Sequence, residues 1–236
     1  MNVQNAFRRA FRFMTLAAAM VALPCFAMDF TLIGSTLILS GGVVDNDLAR
    51  VKDSLDPSRV KLIVLHNNKG GDLWNALRIG ERIRESGVDT TISGLCQSAC
   101  GLIFLGGVKR TYSDAQPIRT TFVGLHGAHS RKTKEAMTQL GPQISYFIET
   151  MTNGKYPKEL MERTVYTKNP EDFIFAQHPT RFPGQSRGMQ ECLKQPDGKF
   201  KCALIEGLDA LTVGVITSPE ITILDEEVKE RLKSLM

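Results

Sequence analysis

Ser98 lies in the run Cys96-Gln97-Ser98-Ala99-Cys100-Gly101, between small residues, where an apolar strand gives way to the apolar stretch Leu102-Ile103-Phe104-Leu105. A hydroxyl at such a junction sits beside the free N–H groups that open a helix. Two further runs end in chemically useful residues: Asn67-Asn68-Lys69-Gly70-Gly71 and Gly124-Leu125-His126. A serine needs a base within reach to act as a nucleophile, and its reaction needs backbone donors for the oxyanion. Ser98, His126 and the glycine pair supply those types, which suggests a hydrolase. The competing reading is a small-residue turn that packs a helix closely on a sheet. His129 is a second candidate base, three residues beyond His126. His66 ends a strand and reads as a satisfied core histidine, and His178, beside Pro179, reads as loop.

These residues need elements to hold them. Phe30 to Ser40 reads as two short strands or one bent strand, and Asp45 could cap a helix running to about Leu55. Val60 to Leu65 is almost continuously apolar, the pattern of a strand buried on both faces. Asp72 then caps a helix whose stripe is Leu73, Ala76, Leu77, Gly80 and Ile83, and Gly87 ends it. A strand from Val88 leads into the serine run. This alternation predicts right-handed βαβ crossovers and a parallel sheet, so the three motifs fall at strand carboxyl ends, where such sheets place their sites. Beyond them, Ser130 to Thr152 has helical spacing through Met137, Leu140, Ile144, Phe147, Ile148 and Met151, with Gly141-Pro142 as a kink or break. Pro157 to Val165 is a short helix, and 178–202 is an irregular insertion. Gly207 to Gly214 is a short helix or turn. Val215-Ile216 and Ile221 to Leu224 are late strands, and Asp225 caps a terminal helix.

The 236 residues suit one α/β domain, 28–236, behind a secretory signal at 1–27. Arg8, Arg9 and Arg12 form its basic part and Phe13 to Phe26 its apolar part, too short for an ordinary membrane span. Retention as an anchor is the lesser alternative. The formal charge of +4 includes those three arginines, so 28–236 is almost balanced, with no basic stripe for nucleic acid. Of five cysteines, Cys25 falls in the signal. Cys96, Cys100, Cys192 and Cys202 remain, an even count that suggests two disulfides in an oxidising compartment. Three connectivities exist. Cys192 and Cys202 flank the turn sequence Gln195-Pro196-Asp197-Gly198, which favours a hairpin bridge there and Cys96–Cys100 as the other. The spacings do not match zinc fingers, and the CxxxC spacing is not that of the usual redox pair.

Taken in order, His66-Asn67-Asn68-Lys69-Gly70-Gly71-Asp72, Cys96 to Gly101, Gly124-Leu125-His126 and the late stretch Asp209 to Ile216 resemble the proteolytic subunit of the Clp protease, within the crotonase-like superfamily. The resemblance spans roughly Leu37 to Thr217 apart from the insertion. It implies a spiral of βαβ units with a parallel sheet and flanking helices. It places Ser98 on the nucleophile, His126 on the base, and Gly71 and Ala99 on the oxyanion donors. The acid falls on Glu171 in a gapless match and on Asp172 with a shift of one. Lys69 departs from the proline usual before the glycine pair, and Cys100 from a small flexible residue. A serine–lysine dyad through Lys69 is a variant of lower rank. The resemblance further implies a peptide or protein substrate and self-association through the 130–152 region. Expected overall is an exported, periplasmic or secreted serine peptidase, independent of ATP, with no cofactor, metal, nucleic acid or stable membrane insertion. The rival is a non-catalytic binding or scaffold protein on the same fold.

Overall fold

The structure, a computed structural model, describes residues 27–181 and 188–235. The expected signal and its Cys25 lie outside the described residues, apart from Ala27. In chain order the elements are β1 (Asp29–Ile33), β2 (Thr36–Ser40), α1 (Asp47–Ser54), β3 (Leu62–Asn68), α2 (Leu73–Ser86), β4 (Asp89–Gln97) and α3 (Ala99–Leu105). There follow β5 (Arg110–Ser113), β6 (Phe122–Leu125), α4 (Gly141–Met151), α5 (Lys158–Val165) and β7 (Phe173–Gln177). The chain ends in β8 (Met189–Lys194), β9 (Phe200–Leu204), β10 (Ile221–Thr222) and α6 (Glu226–Ser234).

One mixed sheet runs β1-β2-β3-β4-β6-β7-β8-β9. The β2-β3-β4-β6 centre is parallel, as βαβ alternation requires, and β1 and β7 to β9 are antiparallel additions. β4 forks: Thr90 to Ile92 pair with β5, whereas Leu95 to Gln97 pair with β6. β10 then pairs with β5. The fork carries the Ser98 end of β4 onto β6, the strand that ends at His126.

The apolar run of β3 is buried on both faces, and strand alternation divides it. Leu37, Leu39, Ile63 and Leu65 join the main core with Ile79 and Ile83 of α2 and Phe104 of α3. Ile38 and Val64 point the other way, onto Val228 and Leu232 of α6. Asp72 caps α2 by accepting the Asn75 N–H at 2.8 Å, and Gly87 closes the helix in the left-handed region. Two arginines take up helix-end and loop carbonyls. Arg84 donates to those of Leu105, Gly106 and Met151, and buried Arg110 to those of Gly107, Gly214 and Val215.

Several expectations are corrected. The helix starts at Asp47, with Asn46 rather than Asp45 before it. The 130–152 region is α-helical only as α4, preceded by a short 3-10 turn over Thr138–Leu140. Pro142 starts that helix, where its missing N–H costs nothing, and does not kink a longer one. Its stripe of Ile144, Phe147, Ile148 and Met151 is buried in the chain's own core, whereas Tyr146 of the same helix is 73% exposed. The 178–202 segment is not merely irregular, because β8 and β9 extend the sheet. Val215 and Ile216 are buried but form no strand, and the Val215 carbonyl goes to Arg110 instead of a ladder. Both disulfides form as expected. Cys192 and Cys202 are directly paired across β8 and β9, and Cys96–Cys100 straddles Ser98.

Candidate active site

Ser98 links β4 to α3 with φ +56° and ψ −126°, a conformation that side chains rarely adopt. Such strain clusters at functional positions. The surroundings hold the turn. The Ser98 N–H donates to the Gly124 carbonyl at 2.8 Å, the Gly101 N–H donates back to the Ser98 carbonyl at 2.9 Å, and the 96–100 disulfide closes the turn. Gly101 lets α3 lie against β6, since a Cβ there would fall 2.6 Å from Leu125 Cδ2.

That close approach brings Ser98 to His126. Ser98 Oγ and His126 Nε2 are 2.6 Å apart. The imidazole is stacked between Phe173, 4.3 Å away at 25°, and His129, 5.5 Å away at 22°. Its Nδ1 is buried without a partner among the described residues. Burial pushes the His126 ring down to about 3, the neighbouring His129 adds to the effect, and Asp172 opposes it.

The glycine pair lies against the serine turn. A Cβ on Gly70 (φ +85°) would fall 2.6 Å from the Gln97 carbonyl oxygen and 2.7 Å from the Ala99 nitrogen. One on Gly71 (φ +150°) would fall 2.1 Å from the Val43 carbonyl oxygen. Only glycine fits either place. No acceptor among the described residues takes the N–H of Gly71 or Ala99. Ser98, His126, Gly71 and Ala99 line one cleft of about 750 Å³, with Leu102 and Ile144 on its apolar wall.

The acids stand differently. Glu171 is 51% exposed and ion-paired with Lys194. Asp172 is buried, with 4% exposure. It accepts from the Asn169 N–H at 3.2 Å, Asn169 Nδ2 at 3.0 Å and the Lys194 N–H at 2.8 Å. Neither is hydrogen-bonded to His126. Asp172 reaches the ring only through its charge. His129 places both ring nitrogens against carbonyl oxygens, of Gly127 at 3.0 Å and Thr167 at 3.2 Å, so no lone pair of that ring faces Ser98. His66 is buried between Ser93 and Asn67, and His178 is buried on Thr180. Lys69 is exposed on the cleft rim without a bond to Ser98 among the described residues.

Sequence reasoning missed Phe173, whose ring packs on His126, and Thr167, whose Oγ1 accepts the Gly127 N–H at 3.1 Å and fixes the backbone after His126. The alternation in Phe173-Ile174-Phe175 was the available signal for the first. Among the described residues no cluster of His, Cys, Asp or Glu could hold a metal ion, and no helix is long and apolar enough to cross a membrane.

No protein-family model matches the chain, and no curated protein matches it. Similar solved structures include ClpP1 from Listeria monocytogenes, 14% identical over 82% of this chain and 94% of that one, with a TM-score of 0.49. An enoyl-CoA hydratase/isomerase from Marinobacter aquaeolei is 11% identical over 88% of this chain and 75% of that one, with a TM-score of 0.40. The membrane-bound stomatin-specific protease 1510-N is 14% identical over 83% and 81%, with a TM-score of 0.42. At such identities these structures say nothing of the residues in the cleft.

Proposed function

We propose that the protein is an exported serine hydrolase that cleaves peptides without ATP. The 2.6 Å contact between Ser98 Oγ and His126 Nε2, on a turn strained at the serine, carries the reading. In it, Nε2 takes the hydroxyl proton as Oγ attacks a carbonyl carbon in the cleft. The oxyanion lies between the N–H groups of Gly71 and Ala99. Nε2–H then protonates the leaving amine, and a water repeats the sequence to release the acyl group. Asp172 is the acid of this reading, as a charge that stabilises the imidazolium. Two disulfides in the described residues suit an oxidising compartment, which supports export.

One observation favours the scaffold alternative. With no acceptor at Nδ1, nothing selects the tautomer that leaves the lone pair on Nε2. Labelling with a fluorophosphonate, beside a panel of peptides and esters, decides between them. Expected are modification at Ser98 alone and its loss in Ser98→Ala and His126→Ala. A folded protein that neither labels nor turns over any substrate refutes the hydrolase reading.

A further inference from the structure

The charge around the cleft is unlike that of the rest of the chain. Outside residues 1–27, basic and acidic residues almost cancel. The cleft nevertheless carries Lys69, Arg131, Lys132 and Lys134 against two carboxylates, Asp45 and Asp72. Asp72 caps α2, where its Oδ1 accepts from the Asn75 N–H at 2.8 Å and from Asn75 Nδ2 at 3.0 Å, and its charge is offset by Arg131. Among the described residues no carboxylate pairs with Lys69, Lys132 or Lys134.

These cations come from two loops that line the cleft. Lys69 precedes the glycine pair. The other three project from a tight turn after the base. There the Met137 N–H donates to the Ala128 carbonyl at 2.8 Å, and the Ser130 N–H to the Glu135 carbonyl at 2.9 Å. Arg131 Nη2 reaches across to the Val43 carbonyl at 3.4 Å, beside Gly71. Glu135, the turn's own acid, is bonded to the Thr133 hydroxyl at 2.9 Å. Unpaired like charges flanking a concave site repel one another and raise the local concentration of an oppositely charged ligand. The lining of the same cleft includes the apolar Leu102, Met137 and Ile144.

We propose that the cleft selects acidic peptides, whose Asp or Glu side chains meet these cations while an apolar residue is held near Ser98. Lys69 and the Arg131–Lys134 turn are the specificity determinants. This rests on the serine-hydrolase reading for what happens after binding, but the binding itself is separable from it.

The test uses the Ser98→Ala protein, which binds without turnover, and two dye-labelled peptides that differ only in Glu against Gln. Anisotropy at low salt should show the Glu peptide bound about tenfold more tightly, and screening at about 0.5 M salt should shrink that to about twofold. Adding Lys132→Glu with Lys134→Glu, both at an exposed turn, should abolish or invert the preference. Lys69→Glu, in the loop after β3, should also weaken it. Equal binding of the two peptides, or a preference that both charge reversals leave intact, overturns the proposal. If Ser98 never labels yet the Glu preference holds, the hydrolase reading fails and the acidic-peptide site stands.

Discussion

Burial of His126 makes a quantitative prediction about stability and pH. Its ordinary value is 6.5, and the folded protein holds it down to about 3. Between those limits the unfolded chain binds a proton that the folded chain does not, so stability rises with pH across this window. The contribution is complete above pH 6.5 and is lost progressively as pH falls toward 3. At about 1.4 kcal/mol per pH step, the fall from pH 7 to 5 removes about 2 kcal/mol, which solvent access from the cleft trims to about 1–2 kcal/mol. His66 and His178 are lowered by burial too and add effects of the same sign. The comparison must therefore be with His126→Asn. Urea unfolding at pH 7, 6 and 5, with disulfides intact, should show wild type losing about 1–2 kcal/mol more than the variant. NMR should show no titration of the His126 ring between pH 5 and 8. Parallel stability losses in the two proteins, or a His126 resonance titrating near its ordinary value, would refute the reasoning.

Asp172→Asn places an amide among three donors in a buried site and should cost about 1–3 kcal/mol, with a fall in Ser98 labelling. Glu171→Gln breaks only an exposed ion pair and should stay within about 0.5 kcal/mol, with labelling unchanged; unfolding curves and labelling rates check both. Replacing Cys96 and Cys100 together by serine should cost roughly 2 kcal/mol, and it should slow labelling because the strained serine turn loses its closure. Arg110→Met leaves the carbonyls of Gly107, Gly214 and Val215 without their donor and should cost about 3–5 kcal/mol in thermal or urea unfolding.

What the sequence made legible is mostly local. The apolar run of β3, the Asp72 cap and the Gly87 terminator are written within a few residues each, and both disulfides followed from the cysteine count and one turn. The 130–140 stretch misled because apolar spacing at Met137 and Leu140 looks helical, whereas both side chains line the cleft from outside α4. The exposed hairpin β8–β9 was readable from its turn and its cysteines, but its attachment to β7 was not. That attachment depends on residues far apart in sequence, such as Phe173 opposite Cys192.

The same distant pairing bears on how the proposed catalytic residues stand. Ser98, Ala99, Gly71 and His126 sit at ends of parallel strands, where the alternation of elements gathers them. The acid comes from the antiparallel side, at the entry to β7. There Lys194, the last residue of β8, holds both candidates, Asp172 by its backbone N–H and Glu171 by its ammonium group. The hairpin that ends in Lys194 is in turn bound by the Cys192–Cys202 bridge. The resting orientation of the acid is therefore shared between the hairpin, through Lys194, and the local motif, through Asn169. Local spacing could place an acid near His126, but the Lys194 contact depends on the β7–β8 register.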